Sequence, residues 1–143
     1  MKRDYPDAPI AGVGAVIIDQ GKVLLIKRGN PPLFGEWSIP GGAVELGETA
    51  RESVIREVRE ETGMVVEPTA LLGVYDRIIP DDEGRILYHY VLIDFLCIPI
   101  SGEVRAASDC KDLKWITFQE LAGIPLPPDT AEVILLGFQR FQK

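Results

Sequence analysis

Three carboxylates, Glu57, Glu60 and Glu61, recur at i, i+3 and i+4, a spacing that puts them on one face of a helix. Like charges placed this way repel, at roughly 0.2–0.5 kcal/mol per pair, unless a cation offsets them. No histidine or cysteine lies close by in the chain. The donor set is therefore all oxygen, and suits a hard ion such as Mg2+ or Mn2+ rather than zinc. Mg2+ held by a few carboxylates typically serves a phosphate-bearing substrate.

The elements that must present these acids can be read around them. Thr49 and Glu52 form a capping box, Val54, Ile55 and Val58 supply an apolar stripe, and Gly63 fits the left-handed position after a last turn; together they predict a helix over 50–62. Arg56 lies four residues from both Glu52 and Glu60 and can pair with either. Just upstream, Gly41 and Gly42 predict a turn that uses backbone shapes closed to other residues. Residues 11–19 and 22–28 read as a hairpin about Gln20 and Gly21, followed by a short extended piece at 37–40. Strands are expected at 68–79 and 86–99, joined by a turn from Pro80 to Gly84, and a short one at 113–117. A helical turn near 118–122 precedes a helix over about 130–141. This order fits a mixed sheet covered by helices, and 143 residues suit one domain, 1–143, with a single core.

Composition narrows the function. With 46% hydrophobic and 26% charged residues, the chain has the make-up of a soluble globular protein. No apolar run is long enough for a membrane span, and the N-terminal residues lack a signal-peptide pattern, so a cytoplasmic protein is expected. Cys97 sits in an apolar run as a small buried residue, and with Cys110 forms no metal or redox motif. A net charge of −7 argues against a nucleic-acid-binding surface. A bound metal would reverse the local sign for a small phosphate substrate.

The segment Gly42–Met64 resembles the Nudix family, whose signature is G-x5-E-x7-R-E-U-x-E-E-x-G-U with U apolar. Gly42, Glu48, Arg56, Glu57, Glu60, Glu61 and Gly63 match its fixed positions, and Val58 and Met64 its apolar ones. The resemblance implies an α/β/α sandwich with a central mixed sheet and a loop-helix-loop motif, and a pyrophosphohydrolase activity. Metal would be held by Glu57, Glu60, Glu61 and the carbonyl of Gly41. Arg56 reads as a clamp that orients carboxylates. Glu48 is either a further metal-shell acid or, as we favour, the partner of Arg56. The general base would be a box glutamate or an acid on the loop before the late strand, where Asp109 and Asp112 stand.

The substrate class implied is a nucleoside diphosphate linked to another group. Pro80 stands sixteen residues beyond Met64, and in the family a proline at about that distance marks the branch acting on ADP-ribose; Pro80 also opens an ordinary turn. Arg28, Phe34, Trp37, Tyr88 and Tyr90 are candidates to contact phosphate or stack on a base, with Arg28, Trp37 and Pro80 taken as the substrate-binding set. His89 falls on the opposite strand face from Tyr88 and Tyr90 and reads as structural. ADP-ribose hydrolysis to AMP and ribose 5-phosphate is the leading expectation. The alternatives are a nucleoside triphosphate pyrophosphatase that clears oxidised nucleotides, and a catalytically silent nucleotide sensor. A homodimer is expected by resemblance, with no nucleic-acid or membrane partner.

Overall fold

The computed structural model describes residues 2–29, 35–103 and 110–141. Seven strands form one mixed sheet: β1 (Ile10–Asp19), β2 (Lys22–Arg28), β3 (Trp37–Ser38), β4 (Gly41–Ala43), β5 (Val65–Pro80), β6 (Ile86–Ser101) and β7 (Cys110–Thr117). Helix α1 spans Ala50–Thr62 and α2 spans Pro128–Phe141, with a 3-10 turn at Glu120–Gly123. The β1–β2 hairpin closes through Gln20 and Gly21, both at positive φ (52° and 77°), the type I′ geometry that matches strand twist.

Strand β1 is the hinge of the sheet. Its first half pairs antiparallel with β4, most of its length runs parallel to β6, and its end turns into β2. β2 in turn carries β3 and β7, and β5 lies outside β6. Alternation along β1 then divides two cores. Val13, Ala15 and Ile17 meet Val54 and Val58 of α1, while Val16 and Ile18 meet Val133, Ile134 and Phe138 of α2. The expected sandwich of helices about a mixed sheet is what forms.

The glycine pair is the main departure from expectation. Gly41 and Gly42 are strand residues of β4, not a left-handed turn; neither has a positive φ. Space explains them. A Cβ on Gly41 would strike the carbonyl of Val13 on β1, and one on Gly42 would strike the Glu57 carboxylate. Cys97 is fully buried, as expected, in the α1-side core, where burial pushes its thiol up to about 12.

Candidate active site

α1 is fixed at both ends. The Thr49 hydroxyl accepts from the amide of Glu52, the Glu52 carboxylate accepts from the amide of Thr49, and Gly63 closes the helix at φ 77°. The Glu52 carboxylate is thereby used by the cap rather than by Arg56. Val54 and Val58 bury one stripe against the sheet, which turns the acid face toward β4.

Arg56 organises that face. Its guanidinium forks onto Glu48, donating at 2.7 Å and 2.9 Å. It also donates to Glu57 at 2.7 Å, to Glu60 at 3.3 Å and to the carbonyl of Ala43 at 3.1 Å. This bidentate geometry is the strong form of an arginine–carboxylate contact, and it holds Glu48 down at about 2. Glu57 answers to two opposing influences: burial raises its carboxyl above the ordinary value, and Arg56 acts against that rise.

Glu61 is buried on the neighbouring side of the helix and accepts from the amide of Gly41 at 2.8 Å. Arg28, at the end of β2, places one guanidinium nitrogen 3.4 Å from the Gly41 carbonyl and 3.6 Å from Glu61. Two of the expected ligand oxygens thus converge on one cationic atom, as Glu57 and Glu60 converge on Arg56. Among the described residues no three carboxylate, imidazole or thiol groups are already gathered about one point. The oxygen-only donor set, already turned toward cations, fits a hard divalent ion.

A cleft, partly open to solvent, lies on the α2 side of the sheet beside these groups. Its floor is Gly12 and Gly14 of β1 with Tyr90, Leu92 and Asp94 of β6; Arg28 and Gly41–Ala43 line one wall, and Arg77, Asp129 and Thr130 the other. Gly14 is required here. A Cβ there would collide with the Asp94 carboxylate and come within 2.8 Å of Ile39. Asp94 is buried, which together with the nearby Asp129 charge pushes it up to about 7, against the pull of Arg77. Arg77 itself donates to both oxygens of Asp129, at 2.8 Å and 3.0 Å, and to the Thr130 hydroxyl at 3.2 Å.

The structure therefore brings together Gly41, Glu48, Arg56, Glu57, Glu60, Glu61 and Arg28. Trp37 stands outside the cleft, packed on the α2-side core with the Lys114 ammonium 4.3 Å from its ring centre. Pro80 is exposed at the end of β5, also outside the cleft. Asp112 is exposed on β7, paired with Lys27 in the strand register. Asp109 and Phe34 lie outside the described residues. Asp94, Arg77 and Asp129 are cleft residues that sequence reasoning misses. The available signal is a lone acid in the apolar run of β6; Arg77 and Asp129 are 52 positions apart and leave no local pattern.

The chain matches the NUDIX domain family over residues 8–136. It is 38% identical over 134 residues to an ADP-ribose pyrophosphatase of Methanocaldococcus jannaschii, covering 94% of this chain and 75% of the relative. A MutT NUDIX hydrolase structure from Burkholderia pseudomallei aligns with a TM-score of 0.76 at 34% identity, over 91% of this chain and 98% of that one. The NUDIX domain of Shewanella oneidensis NrtR, solved with ADP ribose, aligns with a TM-score of 0.73 at 25% identity, over 95% and 90%. With the whole Gly42–Met64 motif inside a match of this extent, the chain belongs to the Nudix hydrolase family.

Proposed function

We propose that this chain is a Mg2+- or Mn2+-dependent pyrophosphohydrolase of nucleoside diphosphate derivatives, and that ADP-ribose, cleaved by water to AMP and ribose 5-phosphate, is its substrate. The observation that carries this reading is the convergence of Glu57, Glu60 and Glu61 on the strand Gly41–Ala43 and on Arg28 and Arg56, beside a cleft that Gly41, Gly42 and Arg28 line. The 38% identity to an ADP-ribose pyrophosphatase supports the choice of ADP-ribose.

Glu57, Glu60, Glu61 and the Gly41 carbonyl would hold the metal. When bound, it supplies charge neutralisation at the phosphates and a water acidic enough to ionise near neutral pH. Arg56 holds Glu57 and Glu60 in place through its fork on Glu48, so that ordering these carboxylates costs little at the moment of binding. The hydrogen bond from the Gly41 amide does the same for Glu61. Arg28 neutralises the wall the phosphates approach. The proton released by the attacking water goes to a carboxylate, one of Glu57, Glu60, Glu61 and Asp109. Little covalent chemistry then falls to the protein.

The same reading treats residues 1–143 as one domain, placed in the cytoplasm and working as a homodimer. The exposed apolar side chains Leu71, Val74 and Ile78 along edge strand β5 support the dimer. No helix among the described residues is long and apolar enough to cross a membrane.

A second reading, nucleoside triphosphate pyrophosphatase, is supported by the 36% identity over 117 residues to a putative 8-oxo-dGTP diphosphatase of Mycobacterium tuberculosis. The test is kcat/KM for ADP-ribose, ATP, dGTP and 8-oxo-dGTP with Mg2+ and with Mn2+. We expect ADP-ribose to lead. A tenfold lead for any triphosphate, about 1.4 kcal/mol of transition-state discrimination, would overturn the ADP-ribose reading. Binding of ADP-ribose without turnover would identify a sensor instead.

A further inference from the structure

Three arginines line the cleft, and they are not equivalent. Arg28 faces Glu61, and Arg77 is held by Asp129. Arg3, from the segment that precedes β1, faces the phenol of Tyr90, a neutral group. Among the described residues no carboxylate stands within ion-pair distance of Arg3. In a chain of net charge −7, it is a cation at the cleft that the described residues leave uncompensated.

The segment carrying Arg3 is tied down. The amide of Tyr5 donates to the carbonyl of Leu87 at 2.8 Å, and its hydroxyl donates to Asp81 at 2.8 Å. Arg85 donates to the same Asp81 oxygen at 3.0 Å and lies 5.1 Å from the centre of the Tyr5 ring. The other oxygen of Asp81 accepts from the amides of Glu83 and Arg85 at 2.9 Å each, so the turn itself holds the carboxylate. Tyr5 has a φ of 48°, a conformation costly for a side chain of its size and kept only where the surroundings impose it. Pro6 and Pro9 stiffen the backbone between Tyr5 and β1. An idle surface arginine needs none of these restraints.

We propose that residues 2–9 form a strap that presents Arg3 to a phosphate of the bound nucleoside diphosphate, and that Tyr5, Asp81 and Arg85 are the latch that positions it. This rests on the pyrophosphohydrolase reading for its ligand class. It also gives the turn after Pro80 a path to the cleft: Pro80 fixes the approach to Asp81, Asp81 holds Tyr5, and Tyr5 places Arg3.

The test is a double-mutant cycle on Arg3 and Tyr5. Arg3→Ala should raise KM for ADP-ribose by ~10-fold or more, the scale of one lost charge-assisted hydrogen bond, with kcat changed less than ~2-fold, as expected for lost binding common to ground and transition states. Arg3→Lys should recover part of the loss. Tyr5→Phe, which keeps the ring and removes the hydroxyl that donates to Asp81, should raise KM by ~3-fold, less than Arg3→Ala because Arg3 itself remains. In the Arg3→Ala background it should do nothing further, because the latch acts only through Arg3. Arg85→Ala should behave like Tyr5→Phe. A KM for Arg3→Ala within twofold of wild type, or effects of Arg3→Ala and Tyr5→Phe that simply multiply, would overturn the proposal. The same cycle is read as the Kd of ADP by calorimetry in EDTA, where no turnover occurs. Failure of the wild type to hydrolyse ADP-ribose would sink the substrate reading while the ADP series still decides Arg3; a wild type that does not bind ADP would overturn the strap as well.

Discussion

Two carboxylates in this protein rest on glycines. Glu57 lies over Gly42 on the α1 side, and Asp94 lies against Gly14 on the α2 side; in each case a Cβ would occupy the place of the carboxylate. Burial raises both above their ordinary values. Their partners differ. Glu57 is held at 2.7 Å by Arg56, itself anchored on Glu48, so it stays oriented. Near Asp94 the arginine is committed elsewhere, with Arg77 bound to Asp129, and Asp94 reaches about 7. One site fixes its carboxylate beside a cationic side chain. The other keeps a carboxyl half-neutral at the deep end of a cleft. In the proposed reading, what would suit Glu57 rather than Asp94 to a metal is therefore not space for a carboxylate but the arginine assigned to it.

The sharpest way to break that contrast is to neutralise each acid. Glu57→Gln should cut kcat by ~10²-fold or more, the scale of losing a key electrostatic group, and should blunt the rise in Tm that millimolar Mg2+ gives the wild type through binding to the folded state. Asp94→Asn should leave the Mg2+ effect on Tm intact and cost less than ~10-fold in kcat, below the loss expected of a key electrostatic group. Equal losses of turnover and of the Mg2+ response in the two variants would erase the distinction.

The glycines give a second, smaller test. Gly42→Ala pushes on the far end of a flexible glutamate, so the Glu57 carboxylate moves; we expect kcat to fall by ~10-fold with a modest change in Tm, since small misplacements at a reacting centre are costly. Gly14→Ala meets Ile39 at 2.8 Å as well as Asp94, inside the packed floor of the cleft. It should cost ~1–3 kcal/mol of stability, the range for overpacking, read in urea denaturation. A Gly42→Ala enzyme with full turnover would show that Glu57 does not need its present position.

The α1 side is legible in the sequence because its signals are local. Thr49, Glu52 and Gly63 mark the ends of the helix, and Arg56, Glu57, Glu60 and Glu61 fall within two turns. The α2 side is not, because Asp94, Arg77 and Asp129 come from three elements and meet only through sheet register and the packing of α2 on the sheet. β4 escapes for a different reason. Gly41, Gly42 and Ala43 have almost no side chains, so they carry no periodicity, and only the free edge of β1 makes them a strand. Trp37 shows the opposite case. A large aromatic beside the motif reads as a binding surface, yet Lys114 and the core take it.

A third test uses pH on the metal-free protein. The folded pKa of Asp94, about 7, lies above the ordinary 3.8, so between these values the folded state holds a proton that the unfolded chain has released. Stability therefore falls as pH rises, and its contribution is lost as pH passes through about 7. Glu48, held at about 2, acts in the opposite sense and only below the usual carboxylate range. Tm should thus decline by a few degrees, on the order of 2–8 °C, between about pH 5 and pH 7.5. Asp94→Asn should flatten the decline, whereas Glu48→Gln should leave its slope in this window unchanged. A wild-type slope retained by Asp94→Asn would assign the proton to another group.

The smallest expected effect belongs to Pro80, and it separates the two ways a residue outside the cleft can matter. Pro80 is exposed and ends β5, outside the residues that line the cleft. Its ring fixes φ just before Asp81, whose carboxylate holds Tyr5. If that path is real, Pro80→Ala should raise KM for ADP-ribose by ~2-fold at nearly constant kcat, a loss of uniform binding. The same substitution in the Tyr5→Phe background should then be silent, because the connection is already cut. A proline that only shapes the hairpin turn would instead lower Tm on replacement, through the entropy of the unfolded chain, and leave KM untouched in both backgrounds. Measuring KM and Tm on the four proteins decides between them: a Tm shift alone would confine Pro80 to the turn, and a KM shift that survives Tyr5→Phe would place its action outside the latch.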